Sequence, residues 1–268
     1  MVNKVLTVKS RWEAVTVVAT IAMWAMLGRI MNELSDFVMS DADVRSYNYF
    51  DYPDVNNLIV DNRTFNYFFT KRFIDLFISI PLLIILSPFL LAIYIAIRTT
   101  DNGAGLFRQK RIGLGGREFY CFKFRTMWVD AEDRLESVLS DDPEAAKEWA
   151  KDHKLKDDPR VTSLGKFLRK TSLDELPQLW NIIKGEMSLV GPRPIVKAEI
   201  EKYGRYYGAY ASVPPGVTGL WQVNGRNDTA YQERVLLDAE YATSQNIWFD
   251  LKILALTLPA VLLSRGAY

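Results

Sequence analysis

From Phe77 to Ile97 the chain reads FISIPLLIILSPFLLAIYIAI without one charged residue. Roughly 20 apolar residues cross a bilayer as a helix, so this run dictates a membrane-associated fold. Two details argue against a plain crossing. Pro81 and Pro88 fall inside the run, and a proline in a helix interior removes a hydrogen bond and bends the axis. Both flanks are basic, with Lys71-Arg72 before and Arg98, Arg108, Lys110 and Arg111 after. Positive flanks stay on the cytoplasmic side, so basic residues at both ends keep both ends there. A helix bent at Ser87-Pro88, entering and returning through one leaflet, satisfies both facts. The alternative is a kinked spanning helix. In the re-entrant form the Ser87 hydroxyl is placed to bond a carbonyl freed by Pro88.

Two further apolar stretches flank this one. Ala14 to Gly28 is uncharged but short for a crossing. It reads as a segment packed on or partly in the membrane. Asn246 to Arg265 is apolar and aromatic, with Asp250 and Lys252 close together. It reads as a helix lying at the membrane interface or against the core.

Charge and side-chain chemistry narrow the function. The formal net charge is +1 over 268 residues, so nothing draws the whole chain to nucleic acid. The basic residues are nevertheless concentrated. Between Arg98 and Arg125 lie Arg108, Lys110, Arg111, Arg117 and Lys123, opposed only by Asp101 and Glu118. Such a zone suits phosphates or anionic headgroups, or is the wet surface of a hairpin. Cys121 is the only cysteine and His153 the only histidine. An intrachain disulfide, a thiolate metal cluster and a Ser-His pair built on a buried ring are therefore excluded. The chemistry must come from carboxylates, basic groups and backbone.

Leu106 to Arg111 and Glu118 to Arg125 read as two strands joined by the turn Gly113 to Gly116. Period two puts Lys123 and Arg125 on one face, either facing phosphate or facing water. The densely charged stretch from Asp130 to Asp158 reads as a helical, solvated excursion. Then comes TSLDELPQLWN, Thr171 to Asn181. Its adjacent Asp174 and Glu175 stand where a helix begins, because Pro177 is tolerated only in a first turn. Leu176, Leu179, Trp180 and Ile183 give that helix one apolar face. Two readings of the acidic pair stand at this point. Acidic residues oppose the helix dipole, and Ser172 with Glu175 fits a capping box. Alternatively, one carboxylate is a nucleophile toward phosphorus while its neighbour holds a divalent cation. In Gly191-Pro192-Arg193-Pro194 two prolines stiffen the backbone around one arginine, and a guanidinium fork matches phosphate oxygens. Arg226 closes a Gly- and Pro-rich loop as a phosphate or base contact, or as part of a turn.

Taken together, KRFIDL, the Ser87-Pro88 bend, FRQKRIG, FKFRTM, LRKTSLDELPQL, SLVGPRP and PPGVTGLWQVNGRN resemble the bacterial sugar transferases, the monotopic phosphoglycosyl transferases. The likeness runs from about Lys71 to Tyr268. It implies transfer of hexose-1-phosphate from a UDP-hexose to polyprenyl (undecaprenyl) phosphate, with release of UMP, at the start of a polysaccharide repeat unit. It implies Asp174 as a nucleophile that forms an aspartyl phosphosugar, Glu175 as a ligand of Mg2+, and Arg169, Arg193 and Arg226 as phosphate ligands, with Lys123 and Arg125 beside them. It implies a bacterial inner membrane location with the catalytic domain facing the cytosol, and it leaves room for a homo-oligomer. Two other readings stay open: a non-catalytic membrane scaffold of a polysaccharide assembly complex, and a glycosyltransferase that would release UDP.

The expected fold class is α/β, mostly helical, membrane-anchored and monotopic, with a re-entrant helix and a small β-hairpin. Its parts are residues 1–70 containing the short apolar stretch, 71–98 as the re-entrant helix, 99–245 as the catalytic domain, and 246–268 as a C-terminal interfacial or packing helix.

Overall fold

The computed structural model describes residues 63–152, 155, 158–224 and 230–262. The chain divides into two units, Met1–Asn48 and Tyr49–Tyr268, and every described residue belongs to the second. The apolar stretch from Ala14 to Gly28, most of the segment 1–70, His153 and Arg226 lie outside the described residues.

The apolar run is the middle of one helix, α1, Arg63–Asp101, which is 39 residues long and continues through Pro81 and Pro88. At 1.5 Å per residue it extends roughly 58 Å if straight. It begins before Lys71 and ends beyond Arg98, so it is longer at both ends than the expected segment. Pro88 has no N–H to give the carbonyl four residues back, that of Ile84. The Ser87 hydroxyl donates to that carbonyl at 2.8 Å, as expected. The helix is apolar and mostly uncovered, with Ile84 at 67% and Ile85 at 73% exposure. Within Tyr67–Asp101 it is long and apolar enough to cross a membrane.

The helix is covered at two separated places. Near its start Lys71, Asp75, Leu76 and Ser79 are buried, and Leu82 and Leu83 pack on the main core. Near its end Ile93 and Ile97 are buried with Phe124 and Leu168. Both ends therefore rest on one body.

That body holds two small sheets among short helices. Strands β1, Leu106–Ile112, and β2, Glu118–Phe124, pair antiparallel, with Leu106 opposite Phe124 and Ile112 opposite Glu118. The connection carries Gly115 and Gly116 at φ 65° and 73°, left-handed values that glycine adopts without steric cost. The strands and turn match the expectation to within a residue. Phe119 and Cys121 are buried in the main core. Phe124 instead meets α1, so both faces of the hairpin are covered at that end.

The charged excursion forms α2, Ala131–Asp141, and α3, Pro143–Asp152. Next come α4, Ser163–Lys170, a 3-10 turn over Leu173–Glu175, and α5, Gln178–Ile183. Strand β3, Ser188–Val190, lies parallel to β4, Gly216–Thr218. Short helices α6, Ile200–Tyr203, and α7, Tyr207–Ala211, separate them. Then follow α8, Leu220–Asn224, α9, Tyr231–Ser244, and α10, Ile247–Leu262. The tyrosine-rich stretch before β4 is packing. Tyr203 and Tyr210 are buried, and the Tyr210 hydroxyl donates to Ile112 O at 2.7 Å while accepting from Ile195 N–H. Helix α10 packs through Asp250 and Ile253 and leaves Trp248 81% exposed.

Candidate active site

Asp174 and Glu175 do not begin α5. After α4 the chain reverses at Ser172, a non-glycine residue held at φ 56°, a left-handed conformation that is unfavourable for a side-chain-bearing residue. It then enters the 3-10 turn, and Pro177 takes the position just before α5. Ser172 makes no side-chain capping bond, so the capping box does not form. The Glu175 carboxylate is turned to another partner. The expected apolar face of α5 is also displaced. Gln178, Leu179, Asn181 and Ile182 are buried, whereas Trp180 is half exposed. Asn181 is the reason. Its Nδ2 donates to Tyr120 O at 2.7 Å and its Oδ1 accepts from Phe122 N–H at 3.0 Å. It thus serves β2 as a substitute strand neighbour, and its burial rotates the helix.

That docking brings the turn against Lys123 on β2. Lys123 Nζ donates to Glu175 Oε1 at 2.6 Å, and Arg193 Nη1 stands 3.8 Å from the same oxygen. Burial opposes ionisation of Glu175, but Lys123 and Arg193 outweigh it and hold the carboxyl below its usual range. Asp174 behaves oppositely. Burial first, and then the Glu175 charge, push its carboxyl up to about 6, against the pull of Lys123 and Arg169. Two adjacent carboxylates are thus split into one that is firmly ionised and one poised near neutrality. Environments that separate paired titratable groups are typical of reactive sites.

Arg193 is held as its prolines suggested. Gly191 N–H donates to Thr218 O at 2.9 Å and Gly216 N–H donates to Pro192 O at 2.8 Å. A Cβ on Gly191 would come within 2.3 Å of Pro214 O, so only glycine permits this approach. The loop sets Arg193 at the mouth of a cleft of about 250 Å3 lined also by Arg111, Lys123, Glu175, Gln178 and Gln222. Arg111 was not singled out in the sequence. It donates to Pro194 O at 2.9 Å and lies 3.8 Å from Glu199, and the basic block FRQKRIG was the signal for it.

Not every expected residue joins this cluster. Arg125 pairs with Asp101 at the end of α1. Arg169, on the last turn of α4, donates from Nε to Thr126 Oγ1 at 2.9 Å, and its charge acts on Asp174. Among the described residues no group of three or more His, Cys, Asp or Glu is arranged to hold a metal. The carboxylate lining this cleft is that of Glu175, beside Asp174 in the chain.

A cation-lined cleft beside two carboxylates of opposed acidity, in a body packed on a long apolar helix, has the charge to receive an anion. The chain belongs to the bacterial sugar transferase family, whose model matches residues 66–264. It is 49% identical over 200 residues to the UDP-galactose-lipid carrier transferase of Erwinia amylovora, covering 75% of this chain and 42% of that protein. It is 48% identical over 200 residues to the undecaprenyl-phosphate galactose phosphotransferase of Salmonella typhimurium, with the same coverage. Its likeness to the exopolysaccharide production protein ExoY of Sinorhizobium fredii is 47% over 199 residues, and there it covers 74% of this chain and 88% of that protein. The chain therefore spans about two fifths of the Erwinia and Salmonella relatives and most of the Sinorhizobium one.

Proposed function

We propose that this protein transfers hexose-1-phosphate from a UDP-hexose to undecaprenyl phosphate, beginning an exopolysaccharide, capsule or O-antigen repeat unit. The observation that carries the reading is the split acidic pair beside a basic cleft, in a chain of the sugar transferase family. The names of the Erwinia and Salmonella relatives supply the donor and the acceptor.

In this reading a carboxylate oxygen of Asp174 attacks the β-phosphorus of the donor. The bond from that phosphorus to the bridging oxygen breaks, and UMP leaves with the electron pair. A phosphate oxygen of the lipid then attacks the same phosphorus and restores the free carboxylate. Splitting one displacement into two lowers each barrier. Asp174 suits the role because a desolvated carboxylate is a stronger nucleophile than a solvated one. Lys123, Arg169 and Arg193 offer positive charge where phosphoryl oxygens gather it. Magnesium ordinarily uses one or two protein carboxylates and completes its shell with substrate phosphates and water. The donor set here fits that pattern. Both cationic contacts of Glu175 fall on Oε1, so Glu175 would hold the ion with its other oxygen. When bound, Mg2+ would neutralise developing charge on the leaving UMP.

The same geometry supports a reading of the membrane arrangement. A spanning helix carries its two ends to opposite faces, whereas both covered ends of α1 rest on one soluble body. That supports a re-entrant helix with both flanks and the site at the cytosolic face, at the depth of a lipid phosphate. Arg226 is proposed as a further phosphate ligand on the family resemblance alone, and a homo-oligomer remains compatible with the reading.

The test is trapping. Purified protein incubated with Mg2+ and UDP-galactose or UDP-glucose, without lipid acceptor, should gain the mass of one hexose phosphate at Asp174 and release UMP. Asp174→Asn should gain nothing while still partitioning to membranes. Release of UDP, or UMP release by the Asn variant at the wild-type rate, would reject the mechanism.

A further inference from the structure

We propose that Thr126 is a positioning residue that aims the Arg169 guanidinium, so that its Nη1/Nη2 edge alone is offered to the donor diphosphate. The proposal rests on the reading of Arg169 as a phosphate ligand.

A guanidinium can grip an oxyanion through two edges, either Nε with one Nη or the two Nη groups together. Here Nε is already spent. It donates to Thr126 Oγ1 at 2.9 Å, and Thr126 is buried. The edge that remains is the far one. Arg169 is also an electrostatic neighbour of Asp174, so a phosphate seated on that edge lies next to the proposed nucleophile.

Thr126 is itself fixed with little freedom. Its carbonyl accepts from Thr162 N–H at 3.0 Å. Thr162 caps the first turn of α4 by accepting from Gly165 N–H at 2.9 Å. A Cβ on Gly165 would stand 2.0 Å from Thr126 O, so the two backbones meet closely. One residue just beyond the end of β2 therefore touches both the start of α4, through its carbonyl, and the end of α4, through its hydroxyl. The same strand end carries Lys123, the partner of Glu175. Threonine 126 thus sets Arg169 in register with the Lys123–Glu175 pair. A long arginine side chain loses much rotamer freedom when it binds, and a pre-aimed fork reduces that cost.

The carbonyl contacts are independent of the side chain, so Thr126→Val should retain the fold while losing the Nε partner. Thr126→Ala is the second variant should the branched side chain pack poorly without its hydroxyl. The readout is UMP release from whichever of UDP-glucose or UDP-galactose the wild type turns over, with KM and kcat separated. We expect KM for the donor to rise about tenfold in Thr126→Val or Thr126→Ala, the scale of a hydrogen bond to a charged group. Thr126→Ser should return KM to within about twofold of wild type. In an Arg169→Lys background the valine substitution should have no further effect, because lysine has no fork to aim. A KM unchanged in both hydroxyl-deleting variants, or a tenfold loss that persists undiminished in the Arg169→Lys background, overturns the proposal. Wild-type KM in Arg169→Lys itself would reject the phosphate reading of Arg169 first, and the role of Thr126 with it.

Discussion

At the residue scale the proposed chemistry depends on one asymmetry between neighbours. Glu175 is held ionised by Lys123 and Arg193, while Asp174 is pushed up to about 6 by burial and by Glu175. Only the ionised form of Asp174 can attack phosphorus. Activity must therefore be low below that value and rise as pH climbs through it. The quantity to measure is kcat/KM for the UDP-hexose, which reports the free enzyme, and its acid limb should fall near pH 6. Lys123 lowers the Asp174 value, so Lys123→Met should move the limb of the residual activity to higher pH. A limb near the ordinary carboxylate value of about 4, or one unmoved by that substitution, would remove Asp174 from the role. How much of this was legible is instructive. The acidic pair and Arg193 stood out because local chemistry marks them, a proline-bounded turn and a stiffened arginine, whereas Arg169 came from the family resemblance. The Lys123–Glu175 pair did not, since 52 positions separate its members. Nor did the partner of Arg125, for the same reason: Asp101 belongs to another element.

At the element scale, structure set by neighbouring residues was readable and structure set by distant ones was not. The hairpin was visible because its apolar alternation and its glycine turn act within a few residues. The buried face of α5 was not. Asn181 is polar by composition, yet it is fully buried because it supplies the hydrogen bonds that the free edge of β2 lacks, and only docking reveals that need. Helix α1 shows local logic at its clearest. Pro88 withholds an N–H from the Ile84 carbonyl, and Ser87 makes good the loss at 2.8 Å. In lipid an unsatisfied carbonyl costs several kcal/mol. Ser87→Ala should therefore lower the yield of folded, membrane-extracted protein, and Ser87→Ala with Pro88→Ala should recover it, because alanine returns the missing donor. Pro88→Ala alone should straighten the helix. Cysteines placed at each flank, both labelled from the cytosolic side in the wild type, should then report some chains with their flanks on opposite faces. Unchanged labelling in Pro88→Ala would mean that the packing of both helix ends, and not the proline, fixes the topology.

At the scale of the whole molecule, the membrane helix and the site are parts of one rigid arrangement. Lys71 of α1 is buried and pairs with Asp250 of α10 at 2.8 Å. The Tyr67 hydroxyl donates to Asp250 Oδ2 at 2.9 Å, and the Tyr241 hydroxyl lies 2.7 Å from Oδ1. One turn further along α1, Asp75 accepts the Leu189 N–H of β3 at 2.9 Å, and β3 runs directly into the loop that carries Arg193. Arg72 donates to the carbonyls of Ile182 and Ile183 at the end of α5, the helix that follows the acidic pair. Movement of α1 would thus displace both walls of the cleft, and in the proposed membrane arrangement the depth of the helix would set the depth of the site. The buried pair is where this coupling can be tested. Removing one partner of such a pair strands a charge in a dry setting and costs about 3–5 kcal/mol, although the intact pair itself adds little over a neutral replacement. Lys71→Met should therefore lower the melting temperature of the detergent-purified protein sharply. Adding Asp250→Asn should recover most of that loss, since the amide oxygen can still accept from Tyr67 and its NH2 can donate to Tyr241, whose hydroxyl can turn to Val190 O, while the stranded charge is gone. If Lys71→Met melts like wild type, or if the double variant melts below the single one, the pair is not what fastens α1 to the catalytic body. The fixed depth of the site would then have to come from the contacts of Arg72 and Asp75 alone.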